Sequence, residues 1–306
     1  MRALLLAFIA TTISMPASAD CTGRTFDKTT VLNPPLCLPE QPKRIIALVP
    51  AFPLGVTIEL GMPVVGSPLV GMNDVVMRDK VIAAGVTDLG SFLEPSIEKI
   101  IALKPDLIIG SDFLGEEAYQ RASRIAPTAF VTAKNWKDHY RTIAEIGGRS
   151  DGLETLFADY DRRLAVLRER VPKDIKVSVV RIMSNEFQVY LDKPDTWAPF
   201  DILREAGVKR TAFETSETDE PTKRLDFEGL SALDGDILLY MIGDLNDAAI
   251  SGRHEAVIAN PLWQMLPAVK AKRVYRVDQA TWMEFNGIAS AHKVLDDIET
   301  YIIGKP

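Results

Sequence analysis

Three histidines and two cysteines are the chain's whole stock of imidazole and thiol. A zinc ribbon, an iron–sulfur cluster or a His-rich loop needs more. Ser, His and Asp residues are present, but the chain contains no G-x-S-x-G elbow and no H-E-x-x-H pair, and an enzyme is not expected. His139 stands in Trp136-Lys137-Asp138-His139-Tyr140, at the expected start of a helix, and reads as a solvated side chain. His254 beside Arg253 and His292 on the last helix have no evident partners. Cys21 and Cys37 lie in a Pro-rich arm before the first strand, without the C-x-x-C spacing of a reactive pair. In an oxidising compartment that even count reads as a disulfide, and closing such a loop is worth roughly 3 kcal/mol in the chain-entropy model.

An oxidising compartment is implied by the first nineteen residues. Arg2 precedes an apolar run over 3–13, and Ala17-Ser18-Ala19 forms an A-x-A cleavage site, so 1–19 reads as a secretory signal peptide and Asp20 as the first mature residue. The competing reading is a lipoprotein acylated at Cys21. A lipobox needs a small residue where Asp20 stands. The 306 residues carry 42 acidic against 35 basic side chains, a net charge of −7. Without a basic tail or stripe, a nucleic-acid or anionic-membrane partner is not expected.

The elements that must position any chemistry alternate between short apolar runs and amphipathic stretches. Strands are expected over 44–49, 63–66, 106–110 and 129–132, with helices over 56–60, 96–103 and 116–125 between them. Ser96 is the expected N-cap of the second of these helices. Such alternation means βα units and a mostly parallel sheet. Over 150–171, Leu153, Leu156, Phe157, Tyr160, Leu164 and Leu167 recur at helical spacing until Pro172 stops them. The theme then repeats, with strands over 176–182, 187–191, 236–241 and 273–277 and helices over 201–206, 227–233 and 288–303. A weak internal echo aligns 96–108 with 226–238, each a short helix with an early glutamate, then a turn, an aspartate and a buried strand. Two similar lobes explain it, and ligands bind preferentially between lobes.

The run Pro42-Lys43-Arg44-Ile45-Ile46, then Leu60-Gly61-Met62-Pro63-Val64-Val65-Gly66, then Glu94-Pro95-Ser96-Ile97-Glu98 through Lys104-Pro105-Asp106, resembles the first lobe of periplasmic binding proteins for ferric siderophores and cobalamin. Asn260-Pro261-Leu262-Trp263 followed by Arg273-Val274-Tyr275 looks like their late second-lobe signature. The resemblance implies an α/β fold of two Rossmann-like lobes joined by a single long helix, the class III arrangement. The expected organisation is an N-terminal lobe with its pinned arm over 20–147, the interlobe helix over 148–172 and a C-terminal lobe over 173–306. It implies a monomer that captures a ferric siderophore in the periplasm and delivers it to an inner-membrane ABC permease, with no cofactor of its own. By motif position Glu98 and Glu228 are the two glutamates that dock on permease arginines. A carboxylate in a first helical turn is favoured by the dipole and pairs bidentately with guanidinium.

In such a fold the cleft is lined by the loops after the strands. These are 50–53, 69–78, 90–93, 111–115 and 133–136 in the first lobe, and 193–199, 221–225, 242–246 and 279–285 in the second. Cations neutralise an anionic chelate and aromatics stack on it, which nominates Arg78, Lys134, Trp136, Trp197, Arg224 and Trp282. Phe92, Gly243 and Met283 stand where several relatives carry cleft arginines, so a less basic pocket is expected, favouring a hydroxamate or mixed chelate over a triscatecholate. Heme or cobalamin is the alternative within the family. A free zinc or manganese ion would need convergent ligands that three scattered histidines do not supply.

Overall fold

The computed structural model describes residues 21–194, 196–215, 220–243 and 252–304; the leader read over 1–19 lies outside them. In chain order the strands are β1 (Arg24–Phe26), β2 (Leu36–Leu38), β3 (Ile45–Ala47), β4 (Val64–Ser67), β5 (Thr87–Asp88), β6 (Leu107–Ser111), β7 (Thr128–Val131), β8 (Lys176–Ile182), β9 (Phe187–Tyr190), β10 (Lys209–Arg210), β11 (Thr222–Leu225), β12 (Ile237–Ile242) and β13 (Val274–Arg276). The helices are α1 (Phe52–Glu59), α2 (Val75–Ala83), α3 (Ile97–Ala102), α4 (Gly115–Ser123), α5 (Trp136–Ile146), α6 (Leu153–Arg170), α7 (Ala198–Glu205), α8 (Arg253–Ala259), α9 (Pro261–Gln264), α10 (Pro267–Lys270) and α11 (Ile288–Asp297).

Every side chain of β3, β6 and β7 is buried, as parallel strands covered on both faces require. They belong to a five-stranded parallel sheet in the order β5-β4-β3-β6-β7. This is the doubly wound order, whose crossover direction reverses between β3 and β6. The second sheet runs β11-β9-β8-β12-β13, with β10 beside the start of β8. β8, β12 and β13 are parallel, while β9 returns antiparallel from β8 and pairs with β11. The stretch 221–225, expected as a loop, is therefore largely an edge strand. The 227–233 segment is a 3₁₀ turn, Glu228–Ala232, instead of a full helix.

Between the sheets runs α6. Leu153, Phe157, Tyr160 and Leu167 form its buried stripe, and Val171 leaves the helix in an extended conformation ahead of Pro172. One apolar core passes without a break from Ile45 and Leu107, through Phe157 and Tyr160, to Val177 and Leu239. The lobes thus share a core along the spine. Asp296 and Glu299 bind Arg163 of α6, and Glu299 also takes Arg170 at 2.5 Å, so the chain's end is fastened along the same helix. Ser96 caps α3 as the sequence indicates, accepting from Lys99 N at 3.3 Å. The Pro-rich arm carries the Cys21–Cys37 disulfide and pairs β1 with β2. Arg24 reaches the carbonyls of Glu145 and Ile146, and Leu32 N meets Phe130 O at 2.8 Å, which fixes the arm to the first lobe.

The second lobe buries an ion pair under β8. Arg210 Nη2 lies 2.6 Å from Glu214 Oε1, and both side chains are almost entirely out of solvent. Glu214 also accepts from Val179 N at 2.7 Å and Thr211 Oγ1 at 2.9 Å. Removing one partner strands the other charge in a low dielectric. Glu214→Ala should cost about 3–5 kcal/mol in urea unfolding; a loss below about 1 kcal/mol would mean that water compensates the arginine.

Candidate binding cleft between the lobes

Because β3 and β6 send their crossovers to opposite faces, their C-terminal ends leave a crevice between them. A cavity of about 210 Å³ lies there, and residues from both lobes wall it. Val49, Ala51, Phe52 and Pro53 follow β3; Ser111, Asp112 and Phe113 close β6; Ala133, Lys134, Trp136 and His139 follow β7. Thr196, Trp197, Ala198 and Phe285 come from the second lobe. Phe113, 62% exposed, also lines an apolar groove of about 720 Å³ on the first lobe, beside Phe92, Leu93 and Ile97. Its ring meets Phe92 edge-on at 6.4 Å.

The second lobe reaches this wall through 284–288. Phe285 stacks on Phe52 at 5.6 Å and meets Trp136 edge-on at 5.5 Å. Its backbone is left-handed, with φ of 44°, a conformation costing a bulky residue about 1–3 kcal/mol and found where surrounding contacts enforce it. On one side of it, Glu284 accepts from Asn73 N, from Asn73 Nδ2 at 3.0 Å and from Asp74 N at 2.9 Å, at the start of α2. On the other, Glu59 at the end of α1 accepts from Ile288 N at 2.9 Å, Ala289 N at 3.0 Å and the Tyr140 hydroxyl at 3.1 Å. Burial pushes both carboxyls above the ordinary glutamate range, and the N–H bonds oppose that rise.

Of the sequence candidates, Lys134, Trp136 and Trp197 come together at the cavity. Trp136 is buried as well, edge-on to Phe157 at 5.8 Å and Tyr160 at 5.3 Å of the spine. Trp197 is 40% exposed, and its indole N–H donates to Trp282 O at 3.0 Å. Trp282 itself has no exposed surface: the turn Ala280–Glu284 winds its ring inward against Phe200, and its N–H donates to Asp297 at 2.8 Å. The aromatic that this loop presents to the cavity is Phe285. Arg78 lies on α2 outside the cavity lining and pairs with Asp79 at 3.6 Å. Arg224 is on β11 and bonds Glu186. Residues 244–246 of the expected cleft loop lie outside the described residues. Glu98 and Glu228 are both exposed, at the starts of α3 and of the 3₁₀ turn.

Two arginines outside the loops named from the sequence join Arg224 around the β8–β9 turn of the second sheet. Arg181, near the end of β8, donates to Gly243 O at 2.6 Å and to the Tyr190 hydroxyl, which is 3.1 Å from Met283 Sδ. Arg253, first in α8, donates to Met183 O at 2.6 Å and lies 5.1 Å from the ring centres of Phe187 and Phe227. Arg224 Nη1 is 3.3 Å from Met183 Sδ. Three guanidiniums thus surround the β8–β9 turn, outside the cavity lining, which carries Lys134 alone among the described lysines and arginines. Alternation along β8 is the signal that could have found Arg181, the half-buried cation in an otherwise apolar strand end.

His139 is not solvated. It lies against Phe52, edge-on at 4.9 Å, and its Nδ1 is 3.3 Å from Ala133 O. A carbonyl only accepts, so Nδ1 carries the proton of the neutral ring. Burial lowers its pKa to about 4. His254 and His292 also have neighbours: Tyr240 Oη lies 3.3 Å from His254 Nε2, and His292 packs beside Tyr160. Since the unfolded chain protonates His139 near its ordinary value and the folded chain does not, the stability it contributes is present above about pH 6.5 and is lost as pH falls toward 4, by up to about 3 kcal/mol. Its imidazole resonances should stay in the neutral form from pH 8 to 5 in an NMR titration; a midpoint near 6.5 would show the ring to be in water.

The periplasmic binding protein family model matches residues 55–281 of the chain. A curated relative, the probable siderophore-binding lipoprotein YfiY of Bacillus subtilis, is 32% identical over 279 residues, covering 87% of this chain and 84% of its own. The Fe(3+) dicitrate-binding periplasmic protein FecB of Escherichia coli is 28% identical over 68% of each chain. Among solved structures, Staphylococcus aureus SirA complexed with staphyloferrin B superposes with a TM-score of 0.74 at 25% identity, covering 88% of this chain and 97% of that one. With its two α/β lobes on one spine helix, the chain belongs to the periplasmic binding protein family.

Proposed function

We propose that the chain is the extracytoplasmic binding component of an ABC importer and that it captures a ferric siderophore between its lobes. The observation that carries this reading is the make-up of the cleft: Phe52, Phe113, Trp197 and Phe285 wall a cavity between the lobes that Lys134 also lines, and three guanidiniums lie around the β8–β9 turn of the second lobe. Flat aromatic faces cover a bulky chelate, and arginines neutralise its carboxylate, hydroxamate or catecholate oxygens. The siderophore and ferric-citrate relatives, and the staphyloferrin-bound structure, support the same ligand class. Lys134 is a cation on the cavity lining and can meet an anionic oxygen of the chelate. Chelated iron is then the cargo, and the protein performs no chemistry on it.

Three organisational features belong to the proposal. The lobes are 20–147 and 173–306, with 148–172 as the spine between them. The leader is removed after Ala19, and the monomeric product is a soluble periplasmic protein. Cys21 supports this over a lipidated form, because a sulfur already joined to Cys37 has no thiol left for a lipid. Glu98 and Glu228 are the docking acids for a permease, and both have the exposure that role needs.

Tryptophan fluorescence should be quenched saturably by at least one member of a panel of ferric hydroxamate, ferric citrate and ferric catecholate chelates, and not by heme or cobalamin. Quenching by heme alone would move the ligand out of the siderophore class, and a folded protein quenched by none of them would end the proposal. Lys134→Ala should weaken binding of an anionic chelate about tenfold or more, the loss expected for one charged hydrogen bond. Changing Glu98 and Glu228 together to Ala should abolish import while leaving chelate affinity unchanged; reduced affinity would place them in the pocket.

A further inference from the structure

Besides the Lys137–Glu205 ion pair at 3.6 Å, two carboxylates cross between the lobes in a reciprocal pattern. Glu284 of the second lobe sits at the N-terminus of α2 in the first, bound to Asn73 and Asp74. Glu59 of the first lobe sits at the N-terminus of α11 in the second, bound to Ile288 and Ala289. Each carboxylate meets two successive backbone N–H groups at a helix start: Ile288 and Ala289 open α11, while Asn73 and Asp74 directly precede α2. Asn286 adds a bond from Nδ2 to Asp74 Oδ2, the carboxylate whose other oxygen caps α2 at Met77 N.

The backbone between the two clamps leaves no slack. A Cβ on Gly287 would lie 2.3 Å from Glu59 Oε2, and one on Gly55 of α1 would lie 2.1 Å from Asn286 O. Gly287 also holds φ of 123°, so a side chain is excluded by conformation as well as by space. Phe285, which stacks on Phe52, is the residue between Glu284 and Asn286. The segment 284–288 therefore crosses to the first lobe as one unit, with a carboxylate clamp at each end and an aromatic ring between.

We infer that Glu59 and Glu284 are positioning residues for the cleft: together they tether the lobes through contacts outside the spine helix itself and set the angle at which the cavity walls face each other. A spine alone permits twist and bend about its ends. A second attachment outside that helix removes those freedoms, and it does so beside Phe285, so the wall that meets ligand and the tether that sets the angle are the same strand of chain. The consequence for chelate capture rests on the cleft reading given above; the tether itself does not.

The experiment is a spin-label distance measurement on the full mature chain, with labels at Ser123→Cys on α4 and Ala256→Cys on α8, both exposed positions. The parent protein should give one narrow distance distribution without ligand. Glu59→Ala with Glu284→Ala should broaden it and move its mean by about 2 Å or more, the scale of a domain rearrangement. In the same variant the amides of Asn73, Asp74, Ile288 and Ala289 should exchange with deuterium faster while those of β6 and β12 do not. Should the double alanine variant not fold, Glu59→Gln with Glu284→Gln is measured in the same way, since an amide offers one acceptor where the carboxylate offers two. A folded variant with an unchanged distance distribution overturns the inference. A changed distribution in a protein that binds no ferric chelate would uphold the tether and refute the proposed ligand instead.

Discussion

The constraint on which the rest of the molecule depends is the geometry of a parallel sheet whose crossovers reverse direction. Parallel strands need long connections, and those connections must cover the sheet faces. Strands β3 and β6 are neighbours, yet the chain leaves them toward opposite faces, so the loops after them part. Phe52 and Phe113 stand on the two sides of that parting, and the cavity between them follows from topology before any particular side chain is chosen. In the second lobe the parallel strands β8, β12 and β13 end along one edge, which brings Arg181, Gly243 and the segment leading to Phe285 to the same side.

A crevice between two lobes is useful for recognition only if its walls keep their relation to each other. Two features here restrict it. The apolar core continues along α6 from one lobe into the other, so the lobes cannot separate without exposing Phe157 and Tyr160. The exchange of carboxylates onto opposing helix starts then adds contacts outside that helix. Burying a carboxylate is expensive, as the raised pKa values of Glu59 and Glu284 express, and the cost is offset by backbone donors that would otherwise lack partners. Such an arrangement is sensitive to geometry, because a small displacement leaves a buried charge without its donors.

Much of the fold was legible because its signals are local. The apolar runs of β3 and β6, Ser96 as a cap and the 3.6-residue period of α6 are all set by neighbours in sequence. The misreadings share a different origin. His139 looked exposed because helix starts generally are, yet the side chain turns under Phe52. Trp282 looked available because it lies in a loop, yet that loop coils and buries the indole on Asp297. The first turn of α2 was read as part of a cleft loop because the helix shows little apolar periodicity, and its start is organised in part by Glu284 from the other lobe.

The sequence by itself determined the α/β class, the two-lobe layout on a long helix, the pairing of the two cysteines and the family, since each follows from short-range periodicity, composition or a contiguous motif. The tertiary structure decided which residues meet. Arg181, Arg224 and Arg253 come from separate elements and gather at one turn, and Glu284 finds its donors 211 positions earlier in the chain. No local pattern encodes such encounters. An isolated acid or arginine has the same sequence signature whether it faces water or a partner, and folding alone sets its dielectric surroundings and the donors within reach.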